Sequence, residues 1–283
     1  TISDRIDGEV IDNAPFLRMI ANYGVGYDNI DIKAATLRGI PVSNTPDVLT
    51  DATADLTFGL IISVMRRICE GDRLIRRGEF PKWGPDVFLG SEVHGKILGI
   101  FGLGRIGIAV AKRAMAFDMK VIYWSRRPKD LPPSIMAKYV NKEDLLREAD
   151  CISIHLPLNS ETWHFIGLKE LRAMKRSAFL INTSRGAIVD EEALVKALRE
   201  GWIAGAGLDV FENEPVVHPS LIECENVVLC PHIGSATKET RTSMAFLAAK
   251  NLIAGLKGEI PPNCVNPEVF SSPSLLQGKD GDM

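Results

Sequence analysis

Residues 97–107 read Ile97-Leu98-Gly99-Ile100-Phe101-Gly102-Leu103-Gly104-Arg105-Ile106-Gly107, an apolar run that passes directly into GxGxxG. The run predicts a buried strand, and Ile106, Val110, Ala114 and Phe117 predict a helix that opens inside the glycines. Glycine-rich turns are common, so the motif alone carries little. Between a strand and a helix it acquires a mechanism. The first glycine permits the tight turn, the second lets the backbone approach a pyrophosphate, and the third lets helix pack on strand. Gly102, Leu103, Gly104, Arg105, Ile106 and Gly107 are thus the expected dinucleotide cradle, with a helix N-terminus facing the phosphates.

Outward from this turn, short apolar runs alternate with helix-length amphipathic segments from Lys96 to about Ile233. The further runs begin at Val121, Cys151, Ala178, Ala204 and Val227. Strands apolar on both faces and separated by helices predict a doubly wound parallel sheet of the Rossmann type, with six strands. Residues 190–199 start acidic, end basic and stop before Gly201, as a dipole-matched helix should. Leu17–Ala21 and Pro41–Ser43 read as strands, with a helix at Ile32 to Arg38 between them. Long helices are expected from about Asp51 to Arg77 and from Lys238 to Leu256. These suggest a cofactor domain over 46–237 and a smaller second domain built from 1–45 and 238–283. Residues 271–283 are polar and predict disorder.

The bulk numbers exclude several classes. With 283 residues there is room for two domains, at roughly 150 residues each. A net charge of −3 gives no reason to expect nucleic acid or an anionic membrane as a partner. No apolar run approaches the ~18 residues of a membrane span, and no secretory leader is expected. Cys69, Cys151, Cys224, Cys230 and Cys264 form no CxxC pair. They read as small buried hydrophobes in a reducing compartment, which places the chain in the cytoplasm by default, with no metal site expected.

Two clusters at strand ends carry chemistry. The strand after the glycine turn ends at Trp124-Ser125-Arg126-Arg127. An NAD-selective site would place Asp or Glu there for the ribose hydroxyls. Two guanidinium groups instead suit a 2′-phosphate, so NADP is the expected cofactor, NAD remaining possible. The alternative is a pair of solvated arginines. Later strands end in Asn182-Thr183-Ser184-Arg185-Gly186, in Asp209 to Pro215 with Glu214, and in Pro231-His232-Ile233-Gly234-Ser235. A lone Arg, Glu or His is usually a surface charge. Arg185, Glu214 and His232 just past three strands of one sheet could together bind a carboxylate, polarise a carbonyl and deliver a proton. That set fits reduction of a 2-oxoacid. His94, His155, His164 and His218 have no such support and read as structural.

The chain resembles the D-isomer-specific 2-hydroxyacid dehydrogenase family from Asp4 to about Val269. The resemblance rests on Asn22-Tyr23-Gly24-Val25-Gly26-Tyr27-Asp28-Asn29-Ile30-Asp31, the Gly102–Gly107 turn, 182–186, Glu214-Pro215 and 231–237. Within the family it is most similar to the glyoxylate/hydroxypyruvate reductases and the related 2-ketogluconate reductases, through Val87-Phe88-Leu89-Gly90 and Asn263 to Pro267. The resemblance implies Arg185 as substrate clamp, His232 as proton donor and Glu214 as its partner. It further implies that the Val25 and Gly26 N–H groups hold the substrate carboxylate. Thr53, His155, Pro157, Thr162, Thr183, Asp209 and Gly234 would line the cofactor. The second domain would be flavodoxin-like and, lacking an opening strand–helix–strand, N-terminally truncated. A homodimer is implied too. Two alternatives stay open: a reductase of longer 2-ketoaldonates, and a non-catalytic dinucleotide-sensing protein, since fold alone does not exclude reuse of the scaffold.

Overall fold

The computed structural model describes residues 4–271, so the end of the predicted disordered tail lies outside the described residues. The first elements are α1 (Gly8–Asp12), β1 (Ile20–Ala21), α2 (Ile32–Leu37), β2 (Val42–Ser43), α3 (Thr50–Met65), α4 (Ile68–Arg76), β3 (Ile97–Phe101), α5 (Arg105–Ala116), β4 (Lys120–Trp124) and β5 (Ala137–Tyr139). Then come α6 (Lys142–Glu148), β6 (Cys151–Ile154), α7 (Leu168–Ala173), β7 (Phe179–Asn182), α8 (Glu191–Arg199), β8 (Gly205–Leu208), α9 (Pro219–Ile222), β9 (Val227–Leu229) and α10 (Lys238–Leu256). They form two compact units, one of Thr50–Gly234 and one of Thr1–Leu49 with Ser235–Met283. The divisions fall at 49/50 and 234/235, where the sequence suggested 45/46 and 237/238. The shift has a local cause: Thr50 opens α3, and Thr237 caps α10 by accepting the Thr240 N–H.

The larger unit holds one parallel sheet of seven strands in the order β5-β4-β3-β6-β7-β8-β9. Strand order reverses between β3 and β6, and in such sheets ligands gather outside the carboxyl ends at that point. β6, β7 and β8 are buried at every residue because helices cover both faces. One apolar layer runs through Leu145, Ile152, Leu180, Leu194 and Leu208, the other through Phe58, Ile61, Leu98, Val110 and Ile181. The seventh strand, β5, was not expected. Ala137-Lys138-Tyr139 has no apolar run and pairs only with β4, at the sheet edge.

The single helix expected over 51–77 is two. Arg67 takes a left-handed conformation (φ 55°, ψ 33°) and separates α3 from α4. The turn is bought by contacts distant in sequence: Ser91 N–H donates to Met65 O (2.7 Å), ending α3, while the Arg67 guanidinium donates to both Glu70 oxygens and to Leu89 O and lies over the Phe88 ring.

In the smaller unit, β1 and β2 pair in parallel over a core of Ile11, Ile20, Ile30, Ala35 and Val42. Both strands are shorter than the sequence suggested. Asn266 extends this pairing with its side chain: Oδ1 accepts the Val42 N–H (2.7 Å) and Nδ2 donates to Ile40 O (3.0 Å). Among the described residues, no helix is long and apolar enough to cross a membrane.

Candidate active site

The carboxyl edge of the seven-stranded sheet carries every cluster singled out above within residues 102–232. After β3, Gly102 adopts φ +92° and its N–H donates to Trp124 O (2.9 Å). A Cβ on Gly102 would lie 2.5 Å from His155 O, and one on Gly107 would lie 2.4 Å from Gly102 O. At Gly104, by contrast, a Cβ would meet no atom within 4 Å. The turn is closed against the protein at its outer glycines and open at its middle one. Since α5 starts on Gly104 with no side-chain cap, its first N–H groups form a donor set suited to an anion. This arrangement fits a dinucleotide diphosphate. Leu103 is buried, so it can meet a cofactor only through its backbone, and Ile106 is partly buried against the same core.

Past β4, Ser125 is buried and its hydroxyl donates to Arg127 O (2.6 Å), bracing a turn on which Arg126 and Arg127 are exposed. Past β6, the His155 imidazole contacts Ser153 Oγ (2.8 Å), and burial pushes its pKa down to about 3. It is neutral at physiological pH and so is no general acid there. Pro157 is exposed, and its carbonyl accepts the Thr162 hydroxyl (2.6 Å), closing the loop. Thr53 and Thr183 are linked through Thr57. The Thr57 hydroxyl donates to Thr53 O (2.7 Å), so the 2.8 Å contact with Thr183 must be a bond that Thr183 donates.

The last three strand ends bring together the charged residues. Asn182, buried at the end of β7, donates to Arg185 O (2.8 Å) and accepts the Ser184 N–H (3.1 Å), shaping the turn that presents Arg185. The Ser184 hydroxyl donates to Leu156 O, and the Arg185 guanidinium donates to Ser184 O (2.8 Å). After β8, Asp209 is 1% exposed and both its oxygens accept backbone N–H groups, from Ile233 and Gly234, each at 2.7 Å. Burial nonetheless holds its carboxyl above the usual range. This clamp fixes the two residues that follow His232, which takes a left-handed φ of +53°. A non-glycine residue there costs on the order of 1–3 kcal/mol.

His232 Nδ1 lies 2.7 Å from Glu214 Oε2, and the other Glu214 oxygen accepts the Phe211 N–H (3.0 Å). Burial pushes the Glu214 carboxyl up. The His232 hydrogen bond, the Phe211 N–H and the positive charges of His232 and Arg185 outweigh it and hold the group below its ordinary range. With Nδ1 turned to a carboxylate, Nε2 of the exposed imidazole is the atom suited to proton exchange.

Gly186 follows Arg185 in the 182–186 motif, and the sequence alone assigns it no role. A Cβ there would lie 1.8 Å from Phe211 C and 2.1 Å from Phe211 O. Main chain thus touches main chain between the turn bearing Arg185 and the turn bearing Glu214. Asn182 likewise gains no role from the sequence alone, although an Asn two residues before a turn's N–H is a recognisable signal. Val25 and Gly26 lie in the smaller unit. There Asn22 Nδ2 donates to Gly24 O (3.2 Å) and Gly26 O (2.6 Å), and Asn44 Nδ2 to Val25 O (2.8 Å). In a trans peptide N–H opposes C=O, so the Val25 and Gly26 N–H groups point away from these amides.

Comparison with known proteins gives the chain a family. Residues 58–234 match the family model described as D-isomer specific 2-hydroxyacid dehydrogenase, NAD binding domain. A glyoxylate reductase of Thermococcus litoralis is 60% identical over 276 residues, covering 96% of this chain and 83% of the relative. A glyoxylate reductase of Pyrococcus horikoshii is 56% identical over 274 residues, covering 95% and 82%. Among solved structures, an NADPH-dependent glyoxylate/hydroxypyruvate reductase of Sinorhizobium meliloti, in complex with NADP and malonate, superposes with a TM-score of 0.86 at 37% identity, covering 94% of this chain and 83% of that one.

Proposed function

Because the chain belongs to the D-isomer-specific 2-hydroxyacid dehydrogenase family, we propose that it reduces a short 2-oxoacid, glyoxylate or hydroxypyruvate, to the D-2-hydroxy acid with NADPH. The observation that carries this reading is the 2.7 Å His232–Glu214 contact beside the charge of Arg185, at the sheet edge that also holds the glycine cradle. A bound NADPH would supply the hydride. Arg185 would pair with the substrate carboxylate and orient the carbonyl carbon. Glu214 would orient the ring of His232, which acts here as an imidazolium. From Nε2 that imidazolium gives its proton to the carbonyl oxygen as negative charge develops there, and solvent restores the proton. The neutral His155 takes no part.

Several finer assignments belong to the same proposal. The exposed Arg126 and Arg127 would pair with the 2′-phosphate, which favours NADPH over NADH; the similar S. meliloti enzyme is described as NADPH-dependent. Thr53, Pro157, Thr162, Thr183, Asp209 and Gly234 would shape the cofactor cleft, Thr162 and Asp209 by holding its loops. Val25 and Gly26, in the smaller unit, are kept as candidate carboxylate donors through their N–H groups. A homodimer would cover Phe80, Trp83, Val87 and Leu89, all exposed on one segment.

The test is a panel of NADPH and NADH against glyoxylate, hydroxypyruvate and 2-ketogluconate, following loss of reduced-nicotinamide absorbance. Turnover is expected with NADPH and the two short acids. His232→Ala should lose about 100- to 10,000-fold in kcat, the usual contribution of a general acid, with the Kd for NADPH unchanged. Absence of turnover with every acid, while NADPH still binds, would favour a dinucleotide sensor.

A further inference from the structure

Glu191 opens α8, yet the cap of that helix is its neighbour Asp190, whose side chain accepts the Ala193 N–H (3.0 Å). Glu191 is instead 6% exposed, and its Oε1 accepts the backbone N–H of Glu212 at 2.7 Å. Glu212 lies in the turn that carries Glu214. Its own carboxylate meets His164 Nε2 (2.9 Å), and His164 in turn hangs from Ala187 O through its N–H (2.9 Å) at a left-handed φ of +47°. Both ends of the segment from Gly186 to Glu191 therefore meet one peptide, Phe211–Glu212, at the start of the turn that runs to Glu214. Main-chain contact at Gly186 closes one end, and the Glu191–Glu212 bond closes the other.

A buried carboxylate is a costly way to satisfy one N–H, and this one faces Glu212 and Glu214, with His218 the favourable neighbour. Burial and the two acids hold the Glu191 carboxyl above its usual range. A proton on the second oxygen would leave Oε1 able to accept the Glu212 N–H, so the bond survives in either state. Reach is what the position demands. We infer that Glu191 is a positioning residue for the proton-donating pair: by holding the Glu212 N–H it keeps Glu214 seated against His232. The inference rests on the function proposed above, and its test does not depend on turnover alone.

Glu191→Gln keeps the length and an acceptor oxygen, whereas Glu191→Asp keeps the charge but withdraws the acceptor by one methylene. Expected for Glu191→Asp is a kcat about 10- to 100-fold below wild type, with KM and the Kd for NADPH within about threefold. Glu191→Gln should stay within about threefold of wild-type kcat. Histidine NMR gives a readout free of turnover: the His232 ring-nitrogen signals should move in Glu191→Asp, as the Nδ1 hydrogen bond to Glu214 loosens, and move less than half as far in Glu191→Gln. Wild-type behaviour of Glu191→Asp, or equal damage by both variants, would overturn the assignment. If wild type reduces no 2-oxoacid, the functional reading fails while the His232 ring signals still judge this one.

Discussion

Gly186→Ala puts the contact between the Arg185 and Glu214 turns to a direct test. The added methyl would lie 1.8 Å from Phe211 C, 2.1 Å from Phe211 O and 2.3 Å from Glu212 N, all main-chain atoms that cannot rotate aside. Ordinary carbon contacts start near 3.5 Å, so the two turns must part by roughly 1.5 Å. Forced overpacking of this kind costs about 1–3 kcal/mol. The larger consequence is geometric: Arg185 rides on one turn and Glu214, with His232 against it, on the other. A misplacement of about 1 Å between reacting groups costs on the order of 100-fold in rate. Steady-state kinetics on glyoxylate with saturating NADPH should therefore show kcat reduced about 100-fold. The Kd for NADPH, measured by fluorescence, should stay within about threefold, because the Gly102 cradle hangs from other strands. A Gly186→Ala variant with wild-type kcat would show that the spacing of these turns does not matter to turnover.

Two further outcomes follow from the same coordinates. Arg126→Ala combined with Arg127→Ala should raise KM for NADPH by about 10-fold or more and leave KM for NADH alone, since only the former offers a phosphate to the guanidinium groups; equal effects on both cofactors would remove these residues from discrimination. The Glu214 carboxyl is held below its ordinary range in the fold, so its stabilising effect is complete above the unfolded value of about 4.3 and is lost as pH falls through the lower folded value. The stability difference between wild type and Glu214→Gln, from urea unfolding, should shrink as pH falls from about 5 toward 3; a difference that grows over that interval would contradict the assigned direction.

The origin of each feature separates along physical lines. The glycine turn, α5, α8, α10 and the six apolar strands rest on short-range causes: glycine's freedom at φ > 0, capping chemistry, dipole-matched charges and periodic burial. All of these lie within a few neighbouring residues, and Arg185, Glu214 and His232 became visible because each directly follows such a strand. Periodicity could not show β5, a polar edge strand that exists because β4 offers it an open ladder, nor the break at Arg67, which requires Ser91 and Leu89 to arrive from twenty residues away. The same holds for the backbone contact at Gly186, the Asp209 clamp on Ile233 and Gly234, and the bond from Glu191 to Glu212. Each joins groups far apart in the chain, and their distance is set by the summed packing of the sheet and its helices, a quantity that no local stretch of residues contains.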